Sequence, residues 1–202
     1  WDLSAPDASF WGDGSQATTV EKTGEAVAGG GDIDGDGKMD LLIGAGRSDV
    51  GADSPTGDAG DIDGGLVYVV CGDPSGESEL GDSTAILVRE DIGTASNVQF
   101  GRSLSTAGDL DGDGHDDIIV GAKLADRVKV DSGAAYVYFG PLSGTYSAPH
   151  AILEGGLAGA ESGISVTAIH DPSGTTDLLV GADKYNNVQG AAFILFGESF
   201  SF

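Results

Sequence analysis

Two acidic loops carry the chemistry this sequence offers. Gly31-Asp32-Ile33-Asp34-Gly35-Asp36-Gly37-Lys38-Met39-Asp40 is echoed by Gly108-Asp109-Leu110-Asp111-Gly112-Asp113-Gly114-His115-Asp116-Asp117. Each places aspartate at relative positions 1, 3, 5 and 9 and glycine at 6. Alternating aspartates on a tight loop turn their carboxylates toward one centre, and glycine at 6 permits the positive φ of a sharp turn. Four carboxylates that close repel one another unless a hard cation sits among them. Calcium suits such a site, because it takes six to eight oxygens in flexible geometry. The expected ligands are Asp32, Asp34, Asp36 and Asp40 in the first loop and Asp109, Asp111, Asp113 and Asp117 in the second, with the backbone carbonyls of Lys38 and His115 at position 7. The bland alternative is an acidic glycine-rich turn without metal, and two copies with identical spacing argue against it.

An EF-hand fails, since it needs a bidentate glutamate at position 12 between two helices. Position 12 is Ile43 in the first loop and Val120 in the second. The runs after the loops, Leu41-Leu42-Ile43-Gly44-Ala45 and Ile118-Ile119-Val120-Gly121-Ala122, are short, apolar and partly β-branched. They read as buried strands, so the loops join strand to strand.

The elements around the loops recur. A second strand precedes each loop position, at Gly24-Glu25-Ala26-Val27-Ala28, Gly101-Arg102-Ser103-Leu104-Ser105 and Gly163-Ile164-Ser165-Val166-Thr167. The third strand recurs as Asp177-Leu178-Leu179-Val180-Gly181-Ala182. A fourth follows at 65–72, 133–140 and 190–197, and opening strands hold Ala8-Ser9-Phe10-Trp11, Ala85-Ile86-Leu87-Val88 and Ala151-Ile152-Leu153. Four short strands repeating at about 60–77 residues predict propeller blades. The expected fold is all-β, with three four-stranded antiparallel blades, twelve strands and essentially no helix. The blades span 1–76, 77–143 and 144–202. Three blades cannot close a ring, so the partial propeller is either open or completed by other copies or further chain. The Trp1 start predicts a processed product or an excised segment.

The chain has 9 Lys+Arg against 33 Asp+Glu, a formal charge of -24 and a pI near 4.1. That excludes nucleic acid and anionic membrane surfaces as partners. The surplus acid leaves two readings, a solvated face or adaptation to a salty medium. No apolar run reaches the ~18–20 residues of a membrane span. The lone Cys71 excludes an internal disulfide framework.

These units resemble FG-GAP repeats, the blades of the integrin alpha-subunit propeller and of bacterial surface proteins. The motifs stand at Phe100-Gly101, Phe139-Gly140, Phe196-Gly197 and the Gly-Ala pairs at 44–45, 121–122 and 181–182. The resemblance implies calcium at both acidic loops and a propeller that usually has seven blades. The third loop, 169–177, departs from the pattern: Ile169 stands at position 1 and Ser173 at position 5. It is expected to be a metal-free turn capped by Asp171. The segment 46–64 is an insertion, read as a solvated loop or as a third cation site built on Asp58, Asp61 and Asp63.

No Gly-x-Ser-x-Gly elbow, phosphate-cradling loop or HExxH occurs. His115, His150 and His170 lie in different loops without partners at ligand spacing, and Cys71 fills the slot of Phe139 and Phe196. Trp1, Trp11 and Tyr185 are aromatics to be weighed between packing and partner binding. The preferred reading is a non-enzymatic, calcium-binding propeller segment of a secreted or cell-surface protein, acting in adhesion, protein–protein interaction or structural assembly. Its partner is a protein or glycan, and it completes its propeller as a homo-oligomer or within a longer chain. The alternatives are a carbohydrate-binding propeller and the accessory propeller of a secreted hydrolase or lyase.

Overall fold

The computed structural model describes residues 6–11, 22–48, 64–80, 83–89, 97–170 and 174–197. In chain order the elements are β1 (Ala8–Trp11), β2 (Ala26–Gly31), β3 (Asp40–Ala45), β4 (Leu66–Val70), β5 (Gly76–Glu79), β6 (Ala85–Leu87) and β7 (Phe100–Gly108). They continue as β8 (Asp117–Ala122), β9 (Ala134–Tyr138), β10 (Gly144–Tyr146), β11 (Ala151–Glu154), β12 (Ser162–His170), β13 (Thr176–Ala182), α1 (Tyr185–Val188) and β14 (Ala191–Leu195). The chain is all-β apart from the single helical turn α1 among the described residues.

Three sheets stack, and each is built on an antiparallel meander: β2-β3-β4, β7-β8-β9 and β12-β13-β14. Among the described residues the strands do not fall into three uniform four-stranded blades. The sheets run β10-β6-β4-β3-β2, β11-β9-β8-β7 and β12-β13-β14, so they hold five, four and three strands. The reason is an offset of one strand. β6 pairs antiparallel with β4, setting Ile86 opposite Tyr68. β11 pairs antiparallel with β9, setting Ile152 opposite Tyr136. The Ala-Ile-Leu segments that read as openings of the second and third units therefore close the sheet before them. The first sheet gains β10 as a parallel edge, and no strand follows β14 among the described residues. β1 does not open a four-stranded blade; it pairs in parallel with β5, from Ala8 opposite Gly76 to Trp11 opposite Glu79.

Alternation along the strands decides which face meets which neighbour. Leu42, Val67 and Val69 of the first sheet pack with Phe100, Ile118, Val120, Tyr136 and Tyr138 of the second. Phe100 meets Tyr136 edge-on, with ring centroids 5.4 Å apart. The Tyr138 hydroxyl donates to the Val88 carbonyl at 2.8 Å, so the buried phenol is satisfied. One residue out of phase, Ile119, Ala135, Val137 and Phe139 face Leu178, Val180, Val166 and Leu195 of the third sheet. The outer face of the first sheet (Ile43, Tyr68, Ile86) is covered by Leu80 and the partly buried Phe10.

A buried ion pair is among the polar contacts that tie the second and third sheets. Glu161 is 5% exposed, and its carboxylate accepts from Lys123 Nζ at 2.8 Å and from Lys184 Nζ. Burial pushes its pKa up, but the hydrogen bonds and charges of the two lysines outweigh burial and hold it below the usual range. A depressed carboxyl contributes stability above its unfolded pKa and loses it as pH falls through the folded value. Glu161→Gln keeps the shape and removes the charge. It is expected to cost about 2 kcal/mol at pH 7, read as a lower urea midpoint that converges on the parent protein's as pH falls through the folded pKa of Glu161.

Candidate metal centre

Each acidic loop leaves the inner strand of its sheet and re-enters on the next, so strand pairing fixes both ends. Gly31 stands opposite Asp40, and Gly108 opposite Asp117. Between these anchors the aspartates fold the backbone around themselves. Asp34 Oδ1 accepts from Asp36 N at 3.1 Å, and Asp36 Oδ1 from Lys38 N at 2.8 Å. Asp111 and Asp113 repeat both turns onto Asp113 N and His115 N, at 3.1 and 2.8 Å. These are Asx turns, in which a side chain stands in for a backbone carbonyl. Position 1 reaches furthest: Asp32 Oδ2 accepts from Gly37 N, and Asp109 Oδ2 from Gly114 N, both at 2.9 Å. Gly37 and Gly114 have φ of +84° and +93°, a region that only glycine enters without strain.

Three carboxylates converge in each loop. Oxygens of Asp32, Asp34 and Asp36 lie within 4.8 Å of one another, and so do those of Asp109, Asp111 and Asp117. Asp113 is not among those three; its Oδ1 holds the His115 amide. Asp40 falls in a separate group with Asp34 and Cys71. Lys38 is exposed, with its ammonium 3.6 Å from both Asp36 and Asp73. The His115 side chain lies against Gly35 of the first loop, where a Cβ would fall 2.5 Å from its Cε1.

The test of fit is Asp32 Oδ1. It is buried and has no hydrogen-bond partner. A buried carboxylate oxygen left bare is costly, and a cation among Asp32, Asp34 and Asp36 would satisfy it. The donor set is all carboxylate and carbonyl oxygen, which selects a hard ion such as calcium over zinc or copper. Cys71 does not change that choice. Burial first, then the charge of Asp40, raise its pKa to about 12, so it remains a thiol, unreactive and a poor ligand.

Position 9 has a duty the spacing alone does not show. Both oxygens of Asp40 accept backbone amides, Ile33 N at 2.7 Å and Gly72 N at 2.9 Å. Asp117 holds Leu110 N at 2.7 Å and Gly140 N at 3.0 Å. In the third loop Asp177 Oδ1 accepts from Gly197 N at 3.0 Å. The aspartate thus persists where the carboxylates of positions 1 and 5 are replaced by Ile169 and Ser173, because it ties the loop to the glycine after the fourth strand. Gly140 itself sits where a Cβ would fall 2.8 Å from the Ile33 carbonyl oxygen, in the sheet before. Asp117 is fully buried. Burial, reinforced by Asp111 and Asp109, raises its pKa to about 7 against the two amides that lower it.

The remaining candidates have structural places. His150 Nδ1 accepts from Phe139 N at 2.8 Å, and its ring stacks on Phe139 at 4.5 Å. His170 Nδ1 lies 2.8 Å from Thr176 Oγ1. Tyr185 packs edge-on against Phe193, with centroids 5.2 Å apart, whereas Trp11 is 61% exposed. Trp1, Asp171 and the insertion aspartates Asp58, Asp61 and Asp63 lie outside the described residues.

The FG-GAP repeat profile matches residues 100–138, which begin at Phe100-Gly101 and run through the second acidic loop to the end of β9. The chain is 32% identical over 161 residues to human integrin alpha-IIb, covering 78% of this chain and 14% of that protein. It is 34% identical over 166 residues to integrin alpha-PS2 of Drosophila melanogaster, covering 78% of this chain and 11% of the relative. To integrin alpha-5 of Xenopus laevis it is 32% identical over 157 residues, 75% of this chain and 14% of the relative. The matched region is thus a small part of each relative's length.

Proposed function

The chain carries an FG-GAP repeat and is related to integrin alpha subunits over three quarters of its length, and from that premise we propose that it is a calcium-stapled section of a β-propeller on a secreted or cell-surface protein. Its work is adhesion or protein–protein interaction, and it is not an enzyme. The observation that carries this reading is that Asp32, one of the three converging carboxylates Asp32, Asp34 and Asp36, keeps its Oδ1 buried and without a hydrogen-bond partner. Calcium would be held by Asp32, Asp34, Asp36 and Asp40 with the Lys38 carbonyl, and by Asp109, Asp111, Asp113 and Asp117 with the His115 carbonyl. When bound it neutralises the loop carboxylates and fixes the turn between the inner two strands of each sheet. Sites of this kind in extracellular modules bind at roughly 10⁻⁴–10⁻³ M, which suits a millimolar-calcium exterior.

Completion of the propeller by further blades, from a longer chain or from other copies, is supported by the exposed apolar face that the third sheet presents among the described residues. Val137 and Phe139 are buried against the next sheet, while Ile194 and Phe196, which occupy the same repeat positions, are 51% and 59% exposed. No helix of the described residues is long and apolar enough to cross a membrane.

Titration calorimetry of the 202-residue chain with calcium is the test. Two sites are expected, with Asp36→Ala and Asp113→Ala each removing one. Absence of heat up to 10 mM calcium, with no change in thermal melting, would sink the proposal.

A further inference from the structure

We propose that the two acidic loops are coupled across the sheet-to-sheet interface, with Asp116 as the positioning residue that transmits occupancy of one loop to the other. The inference rests on the calcium reading above and goes beyond it, since Asp116 stands at position 8 and belongs to no ligand set.

The geometry is a reciprocal clasp. Asp32 N donates to Asp116 Oδ2 at 2.8 Å, and Asp116 N donates to the Asp32 carbonyl at 2.9 Å. One residue of the second loop therefore grips, by two bonds, the residue that opens the first. The grip is close: a Cβ on Gly31 would fall 3.2 Å from Asp116 Cβ. His115, the neighbour of Asp116, lays its ring on Gly35 in the middle of the first loop. Asp116 is in turn held by its own loop, because Asp117 beside it is bound to Leu110 N and Gly140 N.

A cation in the second loop fixes residues 109–117 and so fixes Asp116. The first loop then meets calcium with the Asp32 backbone already oriented, and less ordering remains to oppose binding. Coupling of this sort is reciprocal, so calcium in the first loop strengthens the second by the same factor. Repulsion between the two ions acts the other way but is screened by salt and water. The third unit shows what the clasp replaces. There position 8 is Thr176, whose Oγ1 would lie 3.1 Å from a Cβ on Gly108 at the equivalent interface, and it bonds His170 within its own loop instead.

The test is a site-resolved calcium titration of the whole chain by nuclear magnetic resonance. The Gly37 amide reports the first loop and the Gly114 amide the second, since each donates to the position-1 carboxylate of its loop. Emptying the second site with Asp113→Ala should weaken the first by about five-fold or more. Emptying the first with Asp36→Ala should weaken the second by the same factor. In an Asp116→Ala background the Asp113 change should leave the first site within about two-fold. Asp116→Asn keeps an acceptor for Asp32 N and loses the charge, so it should keep the coupling. Independence of the two sites in the unaltered background overturns the proposal, as does coupling that survives Asp116→Ala. Loss of coupling in Asp116→Asn overturns it too, by assigning the effect to charge. Should Asp116→Ala fail to fold, the reciprocal pair and Asp116→Asn still decide. If neither amide moves with calcium in the unaltered chain, the metal reading itself falls; if both move without coupling, only the clasp does.

Discussion

Gly121→Ala is expected to cost this protein about 4 kcal/mol or more of its stability, from one added methyl group. Gly121 lies in β8 at the contact between the second and third sheets. A Cβ there would fall well inside contact distance of the Gly163 carbonyl oxygen and of Ser103 Oγ, and 3.1 Å from the Gly163 carbonyl carbon. Those atoms are engaged with each other, as Ser103 Oγ donates to the Gly163 carbonyl at 2.8 Å. The obstacle is largely backbone, so no side-chain rotation relieves it. The sheets would have to separate, and the contact of Ile119 and Val137 with Leu178 and Val180 would loosen together with the hydrogen bond. Against a total stability of about 5–15 kcal/mol such a loss is a quarter or more. Gly156→Ala is the control, because a methyl group on Gly156 would meet nothing within 4 Å and the residue lacks a positive φ. It should shift a urea midpoint by no more than about 0.5 kcal/mol. Equal midpoints for the two variants would mean that the sheets do not pack through these glycines. Gly44 repeats the relation one sheet earlier, against the Gly101 carbonyl, so the same outcome is expected of its alanine variant.

The features legible in the sequence are those fixed by local chemistry. Asp at alternate positions with Gly at 6 folds its own loop through Asx turns, and that does not depend on the rest of the chain. The third and fourth strands are plain because Leu41–Ala45 and Leu66–Val70 are apolar on both faces, as strands between two sheets must be. Partnership is less legible. Ala85-Ile86-Leu87 reads as a strand, but nothing within three residues says which sheet it closes; its pairing with β4 decides that. β5 and β10, Gly-Glu-Ser-Glu and Gly-Thr-Tyr, lack alternation and exist through the strands they pair with. Long-range polar contacts escape for the same reason. A signal for the Glu161 clasp is present: Lys22, Gln99 and Glu161 occupy one repeat position and share positive φ values of 51°, 60° and 53°. A polar residue two places before the glycine of each inner strand marks that position without revealing its partners. The backbone duty of the position-9 aspartate, beside its place among the ligands, is signalled by its survival in the third loop, where Ile169 and Ser173 replace the carboxylates of positions 1 and 5.

Calcium should raise the melting temperature by roughly 10 °C at pH 8 and by distinctly less at pH 5. The magnitude follows from mass action: at 10 mM calcium and a Kd of 10⁻³–10⁻⁴ M, each site adds about 1.4–2.7 kcal/mol. Two sites add about 3–5 kcal/mol, and a chain of this size gains about 2–4 °C per kcal/mol. The pH dependence comes from Asp117. Without metal, burial and then Asp111 and Asp109 raise its pKa to about 7 from an ordinary value of 3.8. Between those values the folded state holds a proton that the unfolded state has released, so the stability of the chelated protein falls as pH rises through that window. A cation among Asp109, Asp111 and Asp117 favours the ionised carboxylate and removes the penalty, so binding near pH 7 expels a proton. The chelated protein should therefore melt lower at pH 8 than at pH 5, while the calcium-loaded protein holds level and the gap between them widens. Asp117→Asn abolishes the titration, so the slope of its chelated form should flatten even though its starting stability drops, because an amide cannot accept from both Leu110 N and Gly140 N. A calcium shift of the same size at both pH values would separate Asp117 from the metal and leave it only its backbone role. No shift at either would remove calcium as a staple and leave the loops to their Asx turns and the amides held at positions 1 and 9.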